Sequence, residues 1–450
     1  MDSPSRLGLH DRSVQLAGRV RKSLLKRLEA LAYHVVGLPI ALRRIGRHSR
    51  ASYEDQPANY LHDYYGDAYW ALPWGPPKAL VSVILWPIGL VVIVWLFTSR
   101  NGRAIRDRNG KSIARQMSEQ ALFAARHAIA SYWYYMFELY LTERSAAAAL
   151  YLTAHETIGP AYSLLQPRAD LDSMNDKVWF AAYCKETGVA AVPVFFLLSG
   201  GKMIATDGLV DLPAMDIFVK PRQGNGGRNT ERWDYLGDGR YRSSRGVTLA
   251  RNALAEALAA QSLKGDFVVQ PRAINHPAVD DVSNGALATV RVLTCRNEHG
   301  GFEATNAAFR MAIGRNNVID NFHAGGIASN VDLKTGVIGS ATDMGLRPEV
   351  GWRDVHPVSG APIRGRRLPL WRDVIDLAGR AHEAFPHRVV VGWDVAMLAD
   401  GSTCIVEGNT KPDLDIHQRV EARPLGDRRI AYLLALHVHR ALERESREER

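Results

Sequence analysis

The apolar positions along this chain change their period from one region to the next. Leu16, Val20, Leu24, Leu28 and Leu31 recur at spacings of four and three, which predicts an amphipathic helix with a basic polar side. Residues 79–97, "ALVSVILWPIGLVVIVWLF", contain no charge and are about long enough to cross a hydrocarbon core. Lys78 bounds that run on one side; Arg100, Arg103, Arg106 and Arg108 bound it on the other. With 78 residues ahead of it, the run does not read as a cleaved signal peptide. The aromatic, Pro/Gly-punctuated stretch 59–77 reads as an interfacial loop. Residues 112–158 read as helices, and their Tyr/Trp stripe reads as packing. From about 166 the texture turns to short β-rich runs at 190–198, 216–221, 266–271, 287–295 and 388–398. Helical patterns interrupt them at 177–188, 249–262 and 370–384, and the chain closes on a helix that becomes wholly charged. The expectation is an α+β body with a large antiparallel component, preceded by a helical, membrane-associated N-terminal region. Its divisions are a basic arm (1–50), a membrane-associated segment (51–115, apolar run 79–98), a helical region (116–165), a catalytic domain (166–421) and a C-terminal helix and tail (422–450).

One β run raises a problem of its own. In "GWDVAMLADGSTCIVEGNTKPD" (392–413), Asp400-Gly401 is a strong hairpin signal. A two-residue loop pairs Ala399 with Ser402 and brings Asp394 opposite Glu407, with Asn409 on the same face. Facing carboxylates repel, so a positive group is expected between them. Oxygen ligands without His or Cys favour Mg²⁺ or Mn²⁺ over zinc. Neutralising either acid is then expected to leave the metal-free fold intact or slightly more stable.

Composition narrows the setting. Cys184, Cys295 and Cys404 are far apart and odd in number, which suits a reducing compartment. The net charge is +9, but residues 1–50 hold +8 of it. A nearly neutral body argues against nucleic acid as a partner. A basic amphipathic arm suits an anionic membrane surface or a helix docked on the protein itself; the apolar run favours the membrane. Keeping the basic arm inside requires the run to dip in and return, broken at Trp86-Pro87, or a second short crossing at 28–42. The first is preferred.

Two further stretches carry chemistry. "DIFVKPRQGNGGR" (216–228) delivers Lys220 from a strand and then Gly224, Gly226 and Gly227, which suits a phosphate cradle or a flexible surface turn. It is not a P-loop. Arg291 and Arg310 lie within apolar strands, where they need an ion-pair partner or an anionic ligand. Together with the acidic hairpin these make a nucleotide-dependent phosphoryl-transfer site.

In order, "MNDKVWFAAYCKETGVAAVP", "IFVKPRQGNGG", "FVVQPRAINHP", "ATVRVLTC", "FRMAIGRNNVIDNFHAGGIA" and "GWDVAMLADGSTCIVEGNTKPDLDIHQ" resemble the ATP-grasp fold, in particular the sugar-transfer-associated ATP-grasp family, over roughly residues 166–418. The resemblance implies that Lys177 and Lys220 contact ATP, that the glycine loop closes over its phosphates, and that Asp394, Glu407 and Asn409 hold Mg²⁺. It implies Arg291 and Arg310 at the γ-phosphate or acylphosphate, and Asn321 with Gly325-Gly326 in the acceptor pocket. The hinge departs from the family: Gln270 is followed by Pro271 where a Glu is common, so adenine falls to backbone groups or to Gln270. The implied activity is ATP-dependent carboxylate–amine ligation through an acylphosphate, on an amino-sugar or lipid-linked glycan intermediate at the cytoplasmic membrane face. A kinase-like phosphotransferase and a non-catalytic nucleotide-binding scaffold are the alternatives.

Overall fold

The computed structural model describes residues 51–71, 75–166, 173–224, 229–314, 322, 325–346 and 351–448, without the side chains of 75–83. The arm 1–50 (with its segment 28–42), Gly226, Gly227 and Asn321 lie outside the described residues. The chain divides into two compact units, one built on His62–Ala149, the other on Ser52–Leu61, Leu150–Gly345 and Glu349–Arg450.

Helix α1 (Pro57–Ala71) replaces the interfacial loop expected at 59–77. Proline is at home in a first helical turn, and Tyr60, Leu61, Tyr64 and Tyr69 recur at helical spacing on its buried side. Helix α2 (Gly75–Asn109) runs unbroken through Pro87, so the expected return of the chain at Trp86-Pro87 does not occur. Losing one backbone hydrogen bond does not end a helix that has turns on either side to carry it. In the first unit the C-terminal half of α2 packs on α3 (Ile113–His127) and α4 (Ser131–Met136). A buried polar network ties them: Gln120 Nε2 donates to Thr98 Oγ1, Gln116 Nε2 to the Gly102 carbonyl, and Tyr135 Oη to Gln116 Oε1. Trp133, Tyr134 and Tyr135 are buried beside it, as packing groups.

The second unit holds two antiparallel sheets among the described residues. Its elements are α5 (Lys177–Glu186), β1 (Phe196–Ser199), β2 (Lys202–Ala205), β3 (Ile217–Pro221), β4 (Glu231–Gly237), β5 (Arg240–Ser243), β6 (Thr248–Ala250), α6 (Arg251–Gln261) and β7 (Phe267–Pro271). They continue as β8 (Thr289–Arg296), β9 (Phe302–Met311), β10 (Ile327–Val331), β11 (Ile338–Thr342), α7 (Trp371–Ala384), β12 (Val390–Met397), β13 (Thr403–Asn409), α8 (Asp415–Val420) and α9 (Arg429–Glu448). The first sheet has seven strands in the order β2-β1-β7-β3-β4-β5-β6, and the second has six in the order β11-β10-β9-β8-β12-β13. Alternation along each strand separates two faces. In the first sheet Ile217, Val219, Phe267 and Val269 pack with Leu254 and Leu258 of α6, leaving Phe218, Lys220, Val268 and Gln270 on the other face. In the second, Val290, Val292, Val391, Trp393 and Val395 pack with α7, which leaves Arg291, Arg310 and Asp394 on the opposite face.

Two short stitches join the sheets. Residues 190–192 pair with the outer edge of β13 through Ile405, just before the chain enters β1. After β7, Asn275 bridges to Leu398 and the His276 amide donates to the Met397 carbonyl. The polar faces of the two sheets therefore share a cleft.

Candidate active site

The acidic hairpin reaches the expected register by an unexpected route. Its loop has three residues, closed by Leu398 N–H to Ser402 O, with Gly401 at φ +81°. The pairing near the turn is thus offset by one from the two-residue loop expected, as Met397 opposite Thr403 shows. A bulge at Val406 supplies the compensating residue, and beyond it Asp394 faces Glu407 and Gly392 faces Asn409. Both devices tighten local twist, and the two shifts cancel at the chemically important pair.

The carboxylates do not face each other uncompensated. Arg291, adjacent on β8, pairs directly with Asp394 through Nε, and its Nη2 donates to Asp394 Oδ2 at 3.1 Å. Arg310 Nη2 lies 2.9 Å from the same oxygen, while Arg310 Nε donates to Thr289 Oγ1. Burial opposes the charge on Asp394, but the two guanidiniums outweigh it and hold the carboxyl well below its usual range. Glu407 moves the other way. Burial, then the charge of Asp394, raises its pKa, and its carboxyl hydrogen-bonds to Asp394. Arg291 and Arg310 thus meet a carboxylate of the protein rather than standing open.

The opposite wall carries the ammonium groups. Asp176 caps α5 by accepting from Val178 and Trp179 N–H and pairs with Arg222, just past β3; the Lys177 amide donates to the Arg222 carbonyl. These bonds set the start of α5 against the end of β3, and Lys177 Nζ donates to Gly224 O at 3.1 Å. Gly224 has φ +108°, a backbone that a side chain disfavours. Lys220 is buried; desolvation pulls its pKa down to about 8 against the charge of Glu407. Gln270 Nε2 donates to the Val192 carbonyl, so the hinge residue also spans the stitch between sheets. Met174, Phe180, Val192 and Val406 supply apolar walls to a solvent-open cleft, with Asn175, Lys177, Gln270 and Glu407 as its polar lining.

Lys177, Gln270 and Glu407 line the cleft, Lys220 and Asp394 interact with Glu407 beside it, Arg291 and Arg310 pair with Asp394, and Gly224 lies on Lys177. Asn409 Nδ2 donates to Gly392 O, which orients its amide oxygen away from that bond. Two carboxylates and an amide oxygen on one face suit a hard divalent cation, and the raised pKa of Glu407 marks the place where positive charge is wanted. A phosphate-bearing ligand suits the ammonium wall.

The sequence pattern of the sugar-transfer-associated ATP-grasp family matches residues 161–431. The chain belongs to the sugar-transfer-associated ATP-grasp family. Among curated proteins no match was found. Solved structures similar to this ATP-grasp chain include N5-carboxyaminoimidazole synthetase from Staphylococcus aureus (10% identity, 58% of this chain and 51% of that one, TM-score 0.33). D-alanyl-alanine synthetase A from Vibrio cholerae is 10% identical over 60% of this chain and 65% of its own, with a TM-score of 0.34. The D-alanine–D-alanine ligase from Coxiella burnetii is 12% identical over 61% and 60%, with a TM-score of 0.33. The chain spans about half the length of the first of these.

Sequence reasoning missed several members of this ATP-grasp site. Asp176 and Arg222, which place Lys177, carry a legible signal: Asp is a preferred cap before an apolar run. Met174, Val192 and Val406 gave none, because their role depends on the stitch between sheets. His417 of α8 is fully buried, and its ring nitrogens find no hydrogen-bond partner among the described residues. Burial lowers its pKa to about 3, with the charge of Arg291 adding to the effect.

Proposed function

We propose that this chain is an ATP-dependent carboxylate–amine ligase that works through an acylphosphate on an amino-sugar or lipid-linked glycan intermediate. The observation that carries the reading is the meeting of Lys177 and Lys220 with Asp394, Glu407 and Asn409 across one cleft. Membership of an ATP-grasp family supports the use of ATP, and the family's association with sugar transfer supports the substrate class. Lys177 and Lys220 bind phosphate oxygens, with Gly224 beside Lys177. Gln270 offers its free amide oxygen to the purine. Asp394, Glu407 and Asn409 hold Mg²⁺ or Mn²⁺, which when bound neutralises charge on the transferring phosphoryl group. Arg291 and Arg310 stabilise negative charge on the transferring γ-phosphoryl group or the acylphosphate, once Asp394 shares its own charge elsewhere. The six-stranded sheet that carries β8 and β9 keeps this pair fixed, so little reorganisation accompanies the transfer.

The test is a panel of candidate acids and amines offered to purified protein, with coupled ADP release and mass spectrometry of the product. Ligation releases ADP and phosphate together and yields a joined product. A product that retains phosphate makes the enzyme a kinase instead, and absence of any turnover with nucleotide still bound makes it a scaffold.

A further inference from the structure

Helix α8 is short, polar in sequence and wholly buried. Buried polar side chains need hydrogen-bond partners, and Gln418 and Arg419 have theirs. Gln418 Nε2 donates to the Leu152 carbonyl, and its Oε1 accepts from the Leu152 and Leu425 amides. Arg419 Nε donates to the Asp343 carbonyl at 2.9 Å, and its Nη2 to Thr342 Oγ1 at 2.7 Å. His417 differs from both. Its ring is fully buried, and neither nitrogen has a hydrogen-bond partner among the described residues. A lone buried donor or acceptor costs stability outright, so packing alone would favour an aliphatic side chain at this position.

The bonds around α8 also fix where it lies. In the six-stranded sheet Arg310 pairs with Thr289 and with Ala328, and Ala328 pairs with Thr342. Thr342 therefore points to the face that carries Arg291, Arg310 and Asp394. Asn306, two residues from the Ala308 that pairs with Arg291, points the same way, and its Nδ2 donates to Glu421 Oε1 just beyond α8. Held at β9 and at β11, the helix lies over the polar face of the sheet. There Arg291 is near enough for its charge to oppose protonation of His417, which burial already keeps neutral. A neutral imidazole retains one nitrogen as an acceptor. Arg291 has a donor to spare: Nε and Nη2 bond to Asp394, and Nη1 has no hydrogen-bond partner among the described residues.

Arg291 and Arg310 share one carboxylate, and the proposed function asks that same carboxylate to hold a cation as well. A nearly buried guanidinium that loses its anionic partner is costly and no longer held in place. We propose that His417 is a positioning residue, the second acceptor of Arg291, which takes the guanidinium Nη1 when Asp394 is engaged elsewhere and so keeps Arg291 on the polar face of the sheet. The unpaired imidazole is then a partner held in reserve. The use of this exchange in phosphoryl transfer rests on the ligase reading. The exchange itself does not, because removing the Asp394 carboxylate by substitution poses the same demand on Arg291.

Thermal melts of the full-length chain without nucleotide or metal, for wild type, His417→Leu, Asp394→Ala and the double variant, test the exchange. With Asp394 in place, His417→Leu raises the melting temperature, because it removes an unpaired group. With Asp394 replaced, Arg291 turns to His417, and the same substitution lowers the melting temperature by about 2 °C. His417→Gln, which keeps an acceptor, leaves the melting temperature of Asp394→Ala unchanged, a rescue that a mere packing role would not give. If Asp394→Ala does not fold, Asp394→Asn carries the same comparison with a smaller shift. An equal gain from His417→Leu in both backgrounds overturns the proposal. So does a loss in the wild-type background, which means that the ring already has a partner. Reversal of the sign supports the second-acceptor role whether or not ATP binds. A chain that shows the reversal, yet gains as much from His417→Leu in saturating ATP with Mg²⁺ as without them, counts against the ligase reading alone.

Discussion

Asp394 and Glu407 sit opposite each other, yet their substitutions are expected to diverge. Neutralising Asp394 leaves Arg291 and Arg310, both nearly buried, without their shared carboxylate. Removing one partner of a buried ion pair commonly costs about 3–5 kcal/mol. Asp394→Asn should therefore lower the melting temperature of the metal-free protein, contrary to the gain expected from repulsion alone. Glu407→Gln removes an acid whose pKa is already raised, so stability should hold within about 1 kcal/mol while ATP turnover drops about 10²-fold or more. Thermal melts alongside ADP release would separate the two; equal melts with equal activity would remove the assignment. Lys220 gives a pH signature. Its charge is lost in the free protein above about pH 8, so ATP affinity should fall as pH rises through that value, up to about tenfold per unit. Stability runs the other way: between about 8 and the ordinary 10.5 the unfolded chain holds a proton that the folded one has lost, so the nucleotide-free fold gains stability as pH rises. Lys220→Arg should flatten the affinity profile, and a profile unchanged by that variant would remove Lys220 from the phosphate site. His417 carries an unpaired burial cost of about 1–3 kcal/mol, so His417→Leu should raise the melting temperature; a lower one would point to a partner such as a buried water.

At the scale of elements, periodicity carried the reading well where strands and helices bury one face. The runs at 216–221, 266–271 and 388–398 fall within a residue or two of β3, β7 and β12, and the 370–384 pattern coincides with α7. The hairpin shows what periodicity cannot supply: Asp400-Gly401 signals a turn but not its length, and a bulge has no composition of its own at Val406. The same limit applies to α1, where Gly66 and the aromatics suggested a loop although tertiary burial of Tyr60, Tyr64 and Tyr69 makes a helix. Close approach within these elements is itself testable. A Cβ on Gly392 would lie 2.9 Å from Pro412 Cβ and 3.1 Å from Arg291 Cδ. Gly392→Ala should displace Arg291 from Asp394, costing about 1–3 kcal/mol as overpacking does. A melting temperature unchanged by the substitution would show that the loop at Pro412 yields freely.

For the whole molecule, the individual site residues were legible as types in suitable strands, but their meeting was not. Lys220 and Glu407 belong to different sheets, and the pairing of 190–192 with β13 and of Asn275 with Leu398 helps bring those sheets' polar faces into one cleft. Such long-range stitches leave no local pattern, which is why Val192 and Val406 went unread while Lys177 and Asp394 did not. The family resemblance supplied the order of the pieces; the structure supplies the contacts that make them one site. The central claim is that this cleft binds MgATP, and calorimetric titration of ATP with Mg²⁺ into wild type, Lys220→Met and Glu407→Gln tests it most directly. The account predicts at least tenfold weaker binding in Lys220→Met, and in Glu407→Gln a loss of the dependence of affinity on Mg²⁺. Binding of equal strength and equal Mg²⁺ dependence in all three would contradict it.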